Sequence, residues 1–173
     1  MKIFLFSGSG NGSGKSTCAK KLTQDVWSLA NAIRDELTYK YPAYNWYNKS
    51  SEYKNTTTIE EYGNGRMTMR EVMVEVGQKR CAGNPTFWAD KLVSYLSNRH
   101  FIADGVGVIG VDDIRKLCEL ETIRRAFPTQ VTHFHLLTPT AVTEPEFQND
   151  ELAKVADYVM NWSKLCVLSD GYY

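Results

Sequence analysis

The sequence predicts an α/β domain built on a parallel sheet, and three observations carry that expectation. Apolar runs of strand length alternate with stretches of helical period. No hairpin signal joins neighbouring runs. The first run passes directly into a glycine-dense turn and then a helix-forming segment, the connection of a parallel strand-loop-helix unit. A chain of 173 residues suits one domain, large enough to bury a substantial core.

The organising stretch is Lys2 to Thr17, KIFLFSGSGNGSGKST. Ile3, Phe4, Leu5 and Phe6 form a continuous apolar run, as expected of a strand buried on both faces. Gly8 to Gly14 follow, and Lys15-Ser16-Thr17 opens a segment, Cys18 to Leu22, with no helix breaker. That is the context in which a phosphate-binding P-loop is credible. Its glycines let backbone N–H groups turn inward on phosphate oxygens, and the helix N-terminus adds partial positive charge. The expected ATP-binding residues are Gly10, Asn11, Gly12, Ser13, Gly14, Lys15, Ser16 and Thr17. Lys15 would reach the β and γ phosphates, and the Ser16 hydroxyl would hold magnesium. The usual first glycine falls on Ser9, so either Ser9 takes that place or the loop is one residue longer.

Beyond the loop, Val26 to Leu29 reads as a short second strand, and Ala30, Ile33, Leu37 and Tyr41 recur at helical spacing until Pro42. Arg34 lies beside that stripe. Tyr44 to Gly65 is rich in Tyr, Asn, Ser, Thr and Lys without a period, and reads as a loop or flap. Its rings, with Trp88, would either stack on a base or pack half-buried. Thr68 and Glu71 form a T-x-x-E capping box before a helix with Met69, Val72, Met73 and Val76 on its buried stripe. Asn84 before Pro85 starts another, with Trp88, Leu92 and Leu96 at four-residue steps.

Phe101-Ile102-Ala103 reads as a strand tipped by Asp104, where magnesium and a reacting group would be met. Asp112 to Phe127 reads as a charged amphipathic helix. Val131 to Leu137 is a strand, Thr138 to Asn149 a lid-like loop, and a helix from about Glu151 leads to a last strand near Tyr158 to Met160. His133 and His135 share one face of their strand, but no third metal ligand is in phase with them.

Lys plus Arg and Asp plus Glu number 20 each, so the net charge is zero, which argues against stable nucleic-acid binding. The four cysteines form no CxxC pair, and no signal-peptide or membrane-length apolar run is visible. Reduced thiols in a cytoplasmic protein, with no membrane partner, are expected. The sequence leaves a homodimer open.

With these residues in view, the chain resembles the P-loop kinases of nucleoside monophosphates, most closely the bacteriophage deoxynucleoside monophosphate kinases. Three stretches carry the resemblance: FSGSGNGSGKST; MTMREVMVEVGQKR followed by FWADKL; and ADYVMNW, in which Asp157 and Asn161 are similar to an Asp-x-x-x-Asn closing strand. The resemblance implies a three-layer fold around a five-stranded parallel sheet. It places a helical nucleoside-monophosphate-binding insertion at about 40 to 100 and a lid at about 138 to 150. ATP and magnesium would be the cofactors, with the cytoplasm of a host cell as the setting. By the same resemblance Arg70 would hold the acceptor's phosphate and Asp104 would face the reacting centre.

Two departures stand out. The family commonly places an arginine after the acid-tipped strand, where Asp104 is followed by Gly105-Val106-Gly107, and the lid stretch contains no Arg or Lys. Phosphoryl transfer works mainly by positioning and charge neutralisation, so several cations must converge. The substrate-binding set expected here is Arg34, Arg66, Arg70, Arg80, Trp88 and Asp104. Lys79, Arg115, Arg124 and Arg125 complete the cationic pool. Lys15, Asp104 and Arg70 are the expected catalytic residues, with Ser16 and Asp104 at the metal. Two other activities fit the same residues: phosphorylation of another small acceptor such as dephospho-coenzyme A, a nucleoside or a sugar acid, and an ATP-dependent switch.

Overall fold

The computed structural model describes residues 1–9, 12–48, 50–102, 107–138 and 149–161. Five strands, β1 (Lys2–Gly8), β2 (Asp25–Ser28), β3 (Val108–Asp112), β4 (Val131–Leu137) and β5 (Tyr158–Asn161), make one sheet in the order β2-β3-β1-β4-β5. Every pairing is parallel. The expected α/β fold with a five-stranded parallel sheet is therefore observed, with β1 at its centre. Consecutive parallel strands need long crossovers, and among the described residues seven α-helices lie between them. These are α1 (Lys15–Leu22), α2 (Leu29–Lys40), α3 (Ser51–Thr56), α4 (Met69–Gly83), α5 (Phe87–Ile102), α6 (Leu117–Ala126) and α7 (Asn149–Lys154).

The apolar run of β1 is buried on both faces, as its composition requires. Ile3 and Leu5 join Ile109 and Val111 of β3 in a cluster with Leu92 and Leu96 of α5 and Leu120 and Ile123 of α6. Phe6 lies in a second cluster with Cys18 and Ala19 of α1 and Leu136 of β4. Phe134 stacks on Phe6 and meets Phe4 edge-on, extending that layer. Fully burying side chains of this size stabilises by roughly 1.5–3 kcal/mol each, which makes β1 the element the others assemble around.

The chain forms two compact units, one of residues 1–29 with 89–173 and one of residues 30–88. The second has its own core of Leu37, Trp46, Ile59, Met69, Val72, Val76 and Trp88. α4 starts as its sequence predicts: the Thr68 side chain accepts from the Glu71 N–H, and the Glu71 carboxylate accepts from the Thr68 N–H at 2.8 Å. At the start of α5, the Asn84 carboxamide oxygen accepts from the N–H of Thr86 at 3.0 Å.

Three expectations need correction. The 44–65 stretch carries α3 and is tied down rather than a loose flap. Trp46 is 1% exposed, its Nε1–H donating to the Tyr41 carbonyl at 3.0 Å, and Ile59 is fully buried. The Tyr44 hydroxyl donates to Glu61 at 2.7 Å and accepts from the Glu60 N–H at 3.0 Å. The strand placed at 101–103 is not there, because Phe101 and Ile102 finish α5; the strand beside β1 is Val108–Asp112. The charged helix begins at Leu117, not Asp112. Gly10, Asn11, Asp104, most of the lid-like stretch and the tail from Trp162 lie outside the described residues.

Candidate active site

β1 delivers the chain into the P-loop at the carboxyl edge of the sheet. Gly12 and Gly14 take φ of 80° and 85°, left-handed values that a side chain disfavours, and they turn the chain into α1. Gly8 is glycine for another reason. A Cβ there would lie 2.6 Å from Ser13 Oγ and 2.9 Å from the Leu136 carbonyl oxygen, so the loop folds back against β4 too closely for any side chain. Lys15 opens α1, and its Nζ donates to Ser13 Oγ at 3.1 Å. No acidic residue lies in the first turn of α1 to compete for an anion at its N-terminus. The Ser16 hydroxyl is exposed on that turn. A folded-back glycine loop, a lysine over it and a serine at the helix start fit a triphosphate with magnesium.

The loop is fastened to the end of β4. The Ser9 N–H donates to the Leu136 carbonyl at 3.0 Å, the Thr138 N–H to Ser9 Oγ at 3.1 Å, and the Thr138 hydroxyl to the Ser13 carbonyl at 3.0 Å. Just before the loop, the Ser7 hydroxyl lies 2.7 Å from His133 Nε2 and 2.8 Å from His135 Nδ1, all three side chains being buried. No group of three His, Cys, Asp or Glu side chains that could hold a metal occurs among the described residues. Burial pushes the His133 imidazole down to about 4 and also lowers that of His135, where Lys15 adds its repulsion. Asp157 anchors the outside of this network: its carboxylate accepts from the His133 N–H at 2.7 Å and from Arg124 at 2.9 Å.

The acid beside the P-loop strand is Asp112, buried at the carboxyl tip of β3. An arginine follows this strand three residues on. In Asp112-Asp113-Ile114-Arg115, the Ile114 N–H donates to the Phe6 carbonyl at 3.2 Å and closes the turn onto β1. Arg115 Nε donates to Asp113 Oδ1 at 2.8 Å, and 35% of the Arg115 side chain remains exposed. The sequence signal was present in Val-Ile-Gly-Val, a β-branched run ending in two acids. The glycines around it were read as the turn after a strand rather than the turn before one.

The 30–88 unit sorts its cations into two groups. Arg80 pairs with Glu36 at 2.8 Å and lies over the Phe87 ring, and Lys79 pairs with Glu75. Trp88, expected to contact substrate, is a core residue: it is 6% exposed, and its Nε1–H donates to the Gly77 carbonyl at 3.1 Å. Arg66 is exposed just after a short 3-10 turn, Gly63–Gly65.

The other group is Arg34 on α2, Lys54 on α3 and Arg70 in the first turn of α4. Arg34 is held by the Asn31 carboxamide at 2.6 Å and lies 5.9 Å from the centre of the Tyr47 ring. Tyr47 is itself fixed by donating its hydroxyl to Asp35, and burial first, then that carboxylate, push the phenol up to about 12. Lys54 is half-buried. Burial, followed by the guanidinium charges of Arg34 and Arg70, lowers its ammonium below the usual lysine range. Sequence reasoning missed Lys54 because it lies in the stretch read as a flap. Like charges near one another disfavour the charged form of each, which is the direction in which Arg34 and Arg70 act on Lys54.

No protein-family model matches the chain, and no curated protein matches it. Among solved structures, a shikimate kinase from Acinetobacter baumannii in complex with shikimate is similar at 15% identity. The match covers 99% of this chain and 95% of that one, with a TM-score of 0.38.

Proposed function

We propose that the protein is a magnesium-dependent kinase that transfers the γ-phosphoryl of ATP to a (deoxy)nucleoside monophosphate, giving the diphosphate for DNA precursor synthesis. The reading is supported by two groups of residues suited to anions. One is the P-loop on β1 and α1; the other is the Arg34, Lys54 and Arg70 group on three helices of the 30–88 unit. One set suits the donor's triphosphate and the other the acceptor's phosphate.

In the reaction, an oxygen of the acceptor's phosphate forms a bond to the γ-phosphorus. The bond to the β–γ bridging oxygen breaks, and its electron pair leaves with ADP. Magnesium bound with ATP would supply neutralisation of the β and γ oxygens. The chain's own part is positional: backbone N–H groups and Lys15 hold the donor, Ser16 offers its hydroxyl to the metal, and the second set fixes the acceptor. Arg115 offers charge to the transferring group. A phosphate acceptor at neutral pH needs no general base.

Phosphorylation of a hydroxyl acceptor is the second reading, and buried Asp112 at the tip of β3 favours it, since a hydroxyl would need a carboxylate to take its proton. The deciding experiment offers magnesium-ATP with a panel of ribo- and deoxyribonucleoside monophosphates, nucleosides, dephospho-coenzyme A and sugar acids. Phosphorylated products are then followed, with Lys15→Ala as the control. A diphosphate product that disappears in the control supports the main reading. Transfer only to hydroxyl compounds would move the assignment to the second, and hydrolysis with no acceptor phosphorylated would refute both.

A further inference from the structure

The turn after β3 holds a feature that donor and acceptor binding leave unexplained. Asp113 has φ of 77°, and it and Asn64 are the non-glycine residues with positive φ among those described. Left-handed backbone costs residues other than glycine stability, aspartate and asparagine least, and surrounding contacts hold it here. They come from both sides. The Ile114 N–H bond to the Phe6 carbonyl ties the turn to the strand that enters the P-loop. From α6, buried Glu119 reaches back so that one carboxylate oxygen accepts from the N–H groups of Arg115 at 2.9 Å and Lys116 at 3.0 Å. Burying the Glu119 side chain, 7% exposed, costs stability that its two N–H donors help to offset. Burial raises the Glu119 carboxyl above its usual range, against the pull of the two N–H donors.

Glycine would remove the backbone cost at 113. What aspartate adds is its carboxylate, and that carboxylate receives Arg115 Nε at 2.8 Å. We propose that Asp113 is a positioning residue, kept in a strained turn clamped by Glu119 so that its carboxylate aims the Arg115 guanidinium at the phosphoryl group in flight. The inference rests on the kinase reading and deepens it: Arg115 touches the transferring group, and Asp113 acts only through Arg115. Fixing a cation before the reaction avoids reorganisation when charge develops, which is where such donors have their effect.

The test uses the full-length protein and a double-mutant cycle of Asp113→Asn and Arg115→Ala. Asparagine tolerates left-handed backbone, so Asp113→Asn keeps the turn while removing the charge. Two readouts are taken. One is kcat and KM for ATP with the accepted monophosphate; the other is capture of magnesium-ADP with aluminium fluoride, which mimics the transferring group and needs no acceptor. Expected results are a kcat about 10-fold lower for Asp113→Asn and about 100-fold lower or more for Arg115→Ala, with KM for ATP little changed. Fluoride capture should weaken in the same order, while magnesium-ADP alone binds as in wild type.

In the Arg115→Ala background, Asp113→Asn should have no further effect, whereas a merely structural role would add its cost again. Wild-type capture by Asp113→Asn, additive losses, or a wild-type protein that captures no fluoride complex would each overturn the proposal. If the expected capture pattern holds but no monophosphate in the panel is phosphorylated, the acceptor assignment fails and the role of Asp113 stands.

Discussion

Lys54 shows how much a single side chain's meaning depends on its neighbours. In sequence it is one lysine in a polar stretch; in the structure it shares its surroundings with Arg34 and Arg70, and their charges and its burial make the ammonium easier to deprotonate. The sign of the consequence follows. Its proton is lost at a lower pH than that of a free lysine, so phosphate binding at this group should weaken on the alkaline side earlier than an ordinary lysine would dictate. The Km for the monophosphate should therefore rise with pH in wild type. Lys54→Arg, which stays charged, should flatten that alkaline limb, and Lys54→Gln should raise Km by roughly 10-fold at neutral pH, a difference that narrows on the alkaline side as the wild-type lysine loses its proton. Steady-state kinetics from pH 7 to 10 read both. A wild-type Km that is flat with pH would remove Lys54 from the acceptor's phosphate.

The turn and strand elements explain what could be read from sequence and what could not. β1, α1, the capped start of α4 and β4 were legible because each has a local cause: a continuous apolar run, a glycine loop, a reciprocal Thr68 and Glu71 cap, an apolar run of strand length. β3 was missed because its short Val-Ile-Gly-Val run is flanked by glycines that read equally well as the turn after a strand, and its pairing with β1, from Lys2 opposite Val108 to Leu5 opposite Val111, is not local. The substrate residues were only partly legible for the same reason. Helical spacing locates Arg34 and Arg80 equally well, yet Arg80 finds Glu36 and Arg34 finds Asn31 and Tyr47.

The element most sensitive to a single methyl group should be the P-loop itself. Gly8→Ala places its Cβ against a backbone carbonyl of β4 that has no room to move, which overpacks the site by about 1–3 kcal/mol. Thermal melting should show the loss, and KM for ATP should rise as the loop shifts. An unchanged melt with unchanged KM would mean that the loop tolerates a wider approach to β4.

Across the whole molecule, acid stability should be governed by the network under the P-loop. His133 is neutral in the folded state down to about pH 4, whereas an unfolded chain protonates it near 6.5. Above that unfolded value both states are neutral and nothing is lost. As pH falls from about 6.5 to 4 the unfolded state alone takes up the proton, costing on the order of 3 kcal/mol by the lower end. Denaturant melts of wild type should steepen in that window, and His133→Gln should lose much of the slope. Equal acid slopes in the two proteins would show that the imidazole is not kept neutral. Among the described residues no helix is long and apolar enough to cross a membrane.

The interruption of the sheet by the 30–88 unit has a wider consequence. Ser28 at the end of β2 lies opposite Asp112 at the end of β3, so neighbours in the sheet are separated in sequence by the whole 30–88 unit. Closing a long excursion depends only logarithmically on its length, and doubling it would cost the sheet about 0.6 kcal/mol. Descendants of such a chain could exchange one excursion for another while the sheet and the glycine loop that follows β1 are inherited intact.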